Sequence, residues 1–363
     1  MPKLFIHIGT HKTGTTAIQR SLEAARNRLE QEQIVYLKRF HGSVEMQYLD
    51  APDAQIVATA RASLLAEIER YSPEHVFILS SETYSGNAYK GYRNAAVTAQ
   101  MLQEITSEVF DARIVVYLRR QDSFLEALYT QRVRAIDSFS FEEFLRSDAV
   151  TPPLSFDWWA LLAEFANRFG KDNTIVRRYE KGRFPEKNGL IGNFAAIVGS
   201  QVLPEVALER EENTGYSRDV LEIARLCNSY LDVAGRKQLR ALLQAASVKR
   251  ALEDYAYFPL EERHALLERY AESNARVARE YFGEPSGCLF VEPQTSETVE
   301  YEGLTPERVA RVLAMALASE SQARQEQMNL TSLRVLYKIE QFFKQRSVFD
   351  RPLRWLLRRL KLS

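Results

Sequence analysis

Cysteine is scarce. Cys227 and Cys288 are the only two in 363 residues, far apart and without partners at metal-ligand spacing. Neither a disulfide framework nor a zinc site can be assembled from them, and a reducing, cytoplasmic setting is expected. Net charge is absent too: 48 Lys and Arg balance 48 Asp and Glu. No overall field draws the chain to nucleic acid, so any anion site must be local. No run of about eighteen apolar residues occurs, which excludes a bilayer-spanning helix. There is no internal repeat and no low-complexity tract, so solenoid architectures are excluded, while a 45% hydrophobic content excludes disorder as the main state. The opening run, Leu4-Phe5-Ile6 interrupted by His7, is too short for a signal peptide and reads as a first strand.

What is present alternates. Short apolar runs at 3–8, 34–37, 75–79, 113–118 and 174–177 read as strands. Between the first four lie helical patterns at 15–32, 54–70 and from about 93 to 110. Continuous apolar strands separated by helices predict a parallel sheet covered on both faces, an α/β, P-loop-like architecture. A helix over 156–169 ends at Gly170, a C-terminal stop signal. Beyond Asn188 the pattern is helical at 190–199, 217–232, 236–253, 260–282 and 305–345, predicting a largely helical C-terminal region. The Pro- and Gly-containing stretch 283–303 interrupts it. This divides the chain into an α/β unit with a helical second half (1–282), an irregular segment (283–303) and a helical extension (304–363).

The chemistry concentrates between the first strand and the first helix, in Gly9-Thr10-His11-Lys12-Thr13-Gly14-Thr15-Thr16. Backbone N–H groups and the positive end of a helix converge there on an anion. In the nucleoside-triphosphatase version of such a loop the lysine follows the second glycine; here Thr15 takes that place and Lys12 lies two residues before Gly14.

With His7 and Gly9 this string resembles the 5′-phosphosulfate loop of sulfotransferases that use 3′-phosphoadenosine 5′-phosphosulfate (PAPS), in particular the bacterial carbohydrate-type branch. Three later stretches are similar to that family: 113–132, where a strand ends in Arg119 and a helix follows; Ile175 to Glu180; and Asn213 to Ser217. The likeness extends over roughly residues 1–280. It implies that His11, Lys12, Thr13, Gly14, Thr15 and Thr16 bind the donor's 5′-phosphosulfate and that Arg119 binds its 3′-phosphate. It also implies PAPS as donor, a carbohydrate or glycolipid hydroxyl as acceptor, and no metal. The chain departs from the pattern at Ala127, where the family has a serine. Ser123, one turn earlier on the same helical face, is placed to supply a hydroxyl, or else simply decorates that helix.

Sulfuryl transfer, like phosphoryl transfer, is an in-line displacement through a loose transition state, so the protein positions reactants and stabilises leaving-group charge. Lys12, aimed at the oxygen bridging sulfur and phosphorus, suits that role. A base must take the acceptor proton, and Glu82, just beyond the third strand, stands where strand ends meet. Its alternatives are capping the following turn or pairing with Arg93, and His11 and His41 compete with it as bases. Arg120 is expected to face the acceptor or an acidic partner, and Arg178 to meet a phosphate or pair with Glu180. Tyr84, Tyr89 and Tyr92, in a loop rich in aromatic and hydrogen-bonding groups, are candidate acceptor contacts, or else pack that loop onto the domain. Trp158 and Trp159 read as core. The basic amphipathic segment 352–363 could dock on its own domain, on a second subunit in a homo-oligomer, or on the inner membrane face near a glycolipid. Two rivals remain: an ATP-dependent P-loop kinase, and a degenerate nucleotide-binding protein.

Overall fold

The computed structural model describes residues 1–37, 39–40, 42–147, 150, 155–180, 184–186, 188–206, 215–247, 257–291 and 301–319. Five strands, β1 (Lys3–His7), β2 (Ile34–Tyr36), β3 (Val76–Ser80), β4 (Asp111–Leu118) and β5 (Thr174–Arg178), form one sheet in the order β2-β3-β1-β4-β5. Every pairing is parallel; β1 sits centrally, with His7 opposite Ser80 of β3 and Val115 of β4. Strand alternation sends Leu4 and Ile6 to one core with Leu79 and Val116, and Phe5 to the other with Ile78 and Val115. A sheet buried on both faces needs apolar residues at consecutive positions, the pattern the sequence carries.

Helices α1 (Thr15–Gln31), α2 (Ala54–Ile68), α3 (Ala95–Thr106), α4 (Gln121–Ala135), α5 (Phe141–Leu145), α6 (Trp158–Phe169), α7 (Gly189–Val198) and α8 (Leu203–Val206) cover the sheet and its ends. On α1, Ile18, Leu22, Ala25 and Leu29 are fully buried along one stripe, each larger side chain contributing about 1.5–3 kcal/mol of burial. Helices α9 (Arg218–Asn228), α10 (Val233–Ala246), α11 (Leu260–Glu268) and α12 (Ala271–Phe282) pack around α4 and α6, and residues 306–319 are also helical. The helix expected over 260–282 is broken at Arg269-Tyr270, where buried Tyr270 turns its hydroxyl to the Ser155 carbonyl at 2.9 Å. The C-terminal parts of the helices expected at 236–253 and 305–345, and the segment 352–363, lie outside the described residues, as does His41.

Leu289, Phe290, Val312 and Ala316 belong to the same buried cluster as the sheet residues Leu4 and Val116. Asp219 on α9 anchors the last described segment, receiving Tyr301 Oη at 2.9 Å and Arg311 at 2.8 Å. Among the described residues no helix is long and apolar enough to cross a membrane.

Candidate functional site

The carboxyl ends of β1, β3 and β4 meet at one rim, the place where open parallel sheets bind ligands. The loop leaving β1 turns sharply: Gly9, Lys12 and Gly14 all have positive φ, at 40°, 64° and 84°. A side chain on Gly9 would place its Cβ 2.5 Å from Thr15 Oγ1, and one on Gly14 would collide with Leu190. Lys12 holds the same left-handed backbone without that exemption, a cost of about 1 kcal/mol that surrounding contacts must sustain. Those contacts are on hand. Thr13 Oγ1 donates to the Thr10 carbonyl at 2.5 Å, Thr10 Oγ1 to the Tyr117 carbonyl at 2.6 Å, and the His11 N–H to Tyr92 Oη at 2.9 Å.

Helix α1 opens on Gly14 with no side-chain cap. Ala17 and Ile18 both donate to the Gly14 carbonyl, whereas the amides of Gly14, Thr15 and Thr16 have no acceptor among the described residues. Thr15 Oγ1 is buried beside them and likewise lacks a hydrogen-bond partner. Uncapped amides, an orphaned hydroxyl and the helix dipole form a cradle for a tetrahedral anion.

Two of the site residues named from the sequence join the loop from β4 and α4. Arg119 donates through Nε to Ser123 Oγ at 3.0 Å and through a terminal nitrogen to the Lys12 carbonyl at 3.2 Å. Its guanidinium also lies 5.9 Å from the Tyr179 ring. Trp158, fully buried, braces this corner by donating Nε1–H to the Arg119 carbonyl at 3.0 Å. Ser123 thus stands beside the arginine, one turn before Ala127.

Glu82 arrives on the β3 side. Ser81 N–H pairs with the His7 carbonyl at 3.0 Å, Ser85 Oγ with the Gly9 carbonyl at 3.3 Å, and Ser81 rather than Glu82 caps the turn that follows, through the Thr83 amide. The half-buried Glu82 carboxylate forms no hydrogen bond or ion pair with another described residue, and its charge is felt by Lys12, His11, Tyr89 and Tyr92. Burial pushes the Lys12 ammonium down to about 8, helped by the charges of Arg134 and Arg119 and opposed by Glu82. Burial also lowers His11 against the pull of Glu82, so His11 is held neutral and bonded through Nδ1 to Tyr92 Oη at 3.0 Å.

Tyr89 is half-buried, its ring 6.1 Å from that of His11 and 5.3 Å from the Arg132 guanidinium. Of the residues named as acceptor contacts, Tyr84 is placed elsewhere and Arg120 meets the acidic partner that was its alternative. Tyr84 is fully buried and stacks on Phe40 at 5.4 Å, because the turn after Glu82 sends its ring into the core. Arg120 turns away from the loop onto Asp122, at 2.7 and 2.8 Å, and onto the Val291 carbonyl at 2.8 Å. Arg178 pairs with Glu284 at 3.4 Å and lies 4.4 Å over Phe282, while Glu180 takes the Val291 amide.

Tyr92, named with the other loop tyrosines as an acceptor contact, is instead buried and holds His11 from 81 positions away. Sequence reasoning missed Arg134, whose charge reaches Lys12 and which carries no local signal. It also missed a buried charge cluster behind α4: Arg263 pairs with Asp122 and, at 2.9 Å, with Glu126, which accepts the Tyr257 amide at 2.8 Å as well.

No family model matches the chain. An uncharacterized protein of Archaeoglobus fulgidus is 27% identical over 204 residues, covering 56% of this chain and 55% of that one, so the chain spans about half the length of this relative. The crystal structure of a sulfotransferase from Alicyclobacillus acidocaldarius aligns with a TM-score of 0.37 and 21% identity, over 65% of this chain and 99% of that one.

Proposed function

We propose that the chain is a sulfotransferase that moves a sulfuryl group from PAPS to a hydroxyl acceptor, a carbohydrate or glycolipid. The observation that carries this reading is the composition of the rim. A lysine forced into a left-handed turn stands among uncapped helix amides and an orphaned buried hydroxyl, with an arginine fork on one neighbouring strand end and, on the other, a carboxylate unpaired among the described residues.

The residues suit the donor. The amides of Gly14, Thr15 and Thr16 and the Thr15 hydroxyl would hold the 5′-phosphate, and Arg119 with Ser123 would hold the 3′-phosphate through charge-assisted bonds. When bound, the donor supplies an activated sulfuryl group whose leaving atom is a phosphate oxygen. Lys12 neutralises the charge on that oxygen as its bond to sulfur breaks. Glu82 takes the proton of the acceptor hydroxyl as its oxygen bonds to sulfur. His11, neutral and tied to Tyr92, orients the loop.

The test is a thermal-shift titration with adenosine 3′,5′-bisphosphate, ADP, and ATP with Mg²⁺, on the wild type and Lys12→Ala, followed by transfer assays from PAPS. A ligand at a hundred times its dissociation constant adds about 2.7 kcal/mol of stability. The bisphosphate should stabilise the wild type well beyond ADP, and Lys12→Ala should lose much of that gain. Glu82→Gln should keep bisphosphate binding and lose transfer about 100-fold or more. A larger shift from ATP with Mg²⁺ would move the assignment to a kinase, and bisphosphate binding without transfer to any hydroxyl would leave a degenerate nucleotide-binding protein.

A further inference from the structure

The three tyrosines of the loop after Glu82 have three different surroundings. Tyr84 is sealed in the core against Phe40, and Tyr92 gives its hydroxyl to His11. Tyr89 is half-buried, and its hydroxyl, open to solvent, forms no hydrogen bond with another described residue.

Measured contacts tie Tyr89 to the rim. Ser85 Oγ pins its loop to the Gly9 carbonyl at 3.3 Å, and Asn87 Oδ1 accepts the Tyr89 amide at 2.9 Å. The Tyr89 ring meets that of His11, the neighbour of Lys12, with centroids 6.1 Å apart and planes at 61°. From α4 the Arg132 guanidinium covers the ring at 5.3 Å; it also lies 4.6 Å over Phe139 and pairs with Asp137 at 2.6 Å. Stacked on two rings and neutralised by a carboxylate, Arg132 is a fixed wall rather than an anion site. A tyrosine has only two side-chain torsions, so a wall over its ring and a histidine beside it leave the hydroxyl at a set position. Burial and the Glu82 charge raise the phenol above its usual range against the pull of Arg132, so it stays protonated and can both donate and accept. The donor's phosphates are provided for by the α1 cradle and by Arg119 with Ser123 at the end of β4. Tyr89 belongs to the segment that follows β3, on the other side of β1, and carries Glu82.

We infer that Tyr89 sets acceptor specificity by bonding, through its phenol, a second hydroxyl of the acceptor, and that Arg132 is the positioning residue that holds it there. This rests on the sulfuryl-transfer reading above and supplies the contact that separates a polyhydroxylated ring from a simple alcohol, which has no second group to offer.

The experiment measures equilibrium binding of nitrophenyl glucoside, its monodeoxy analogues and nitrophenylethanol to the bisphosphate-saturated protein. Wild type, Tyr89→Phe, Arg132→Gln and the double variant are compared, with melting temperature and bisphosphate affinity taken for each. Wild type should bind the glucoside about fivefold or more tighter than one of the deoxy analogues and than nitrophenylethanol. Tyr89→Phe should erase the preference over that analogue while melting temperature and bisphosphate affinity stay at wild-type values, because the lost hydroxyl bonds nothing within the protein. Arg132→Gln should shrink the same preference, and adding Tyr89→Phe to it should cost less than adding it to wild type. A wild type with no preference for the glucoside, or a preference that survives Tyr89→Phe, overturns the inference while leaving the donor assignment intact. A melting temperature that falls with Tyr89→Phe also overturns it, by giving the hydroxyl a structural role, and an undiminished preference in Arg132→Gln overturns the part assigned to Arg132. Should Arg132→Gln not fold, Arg132→Lys, which keeps the charge and loses the planar stack, takes its place in the same comparison. If wild type binds no bisphosphate, the sulfuryl-transfer reading fails first and this inference with it.

Discussion

The Lys12 carbonyl accepts a hydrogen bond from the Arg119 guanidinium at 3.2 Å, while the same guanidinium holds Ser123 at 3.0 Å. One side chain therefore fixes both the backbone of the left-handed lysine and the start of α4. Arg119→Lys keeps the charge but cannot span both partners. It should weaken bisphosphate binding about tenfold and also lower kcat, because the Lys12 backbone is released. Calorimetric titration and steady-state kinetics would separate the two effects; a change in KM alone would mean that Arg119 does not position Lys12.

The ammonium of Lys12 titrates near 8 rather than 10.5. In the free protein kcat/KM should fall as pH rises through about 8, because the cation proposed to stabilise the leaving oxygen is lost. Lys12→Arg should push that limb beyond the measurable range. The sign for stability is opposite. Between about pH 8 and 10.5 the unfolded chain binds the proton that the folded one has lost, so the Lys12 contribution to folding becomes more favourable as pH rises. A pH–rate profile beside thermal melts of wild type and Lys12→Met over the same range would check both signs.

Thr15 carries a buried hydroxyl with no partner among the described residues. Replacing it with a methyl group removes an unsatisfied polar atom, so Thr15→Val should leave the free protein as stable as wild type or up to about 1 kcal/mol more stable. The same substitution should shrink the bisphosphate-induced thermal shift. A loss of free-protein stability would mean that the hydroxyl has an intramolecular role.

Arg263 is 2% exposed and stands between Asp122, at 0%, and Glu126, at 9%. Burial opposes the charge on Asp122, but bonding to Arg120 and Arg263 outweighs it and holds that carboxyl below its usual range; Glu126, deeper relative to its compensation, is raised. Arg263→Leu leaves Glu126 buried without its cation, Asp122 keeping Arg120, and should cost about 3–5 kcal/mol in chemical denaturation. The double replacement Glu126→Gln, Arg263→Leu should recover much of that loss, since Asp122 keeps Arg120 and Glu126 no longer carries a charge.

Periodicity made the sheet legible. Consecutive apolar residues at 3–8, 75–79 and 113–118 predict strands buried on both faces, and the structure places β1, β3 and β4 within two residues of those bounds. The loop was legible for a related reason: glycines, threonines and a lysine between a strand and a helix are a local arrangement, and local arrangements are written in adjacent residues. The break at Arg269-Tyr270 was not, because Tyr270 turns to satisfy a carbonyl at Ser155, far away in the chain.

The same division runs through the site. The sequence by itself determined the anion cradle, since backbone amides at a helix start need only the chain's own turn to converge. Tertiary structure alone decided which side chains face that cradle. It sent Tyr84 into the core and Arg120 onto Asp122, and brought Tyr92 onto His11. A residue's type states what charge or hydrogen bond it can offer; which group receives it depends on contacts across the sheet and between helices that no spacing along the chain encodes.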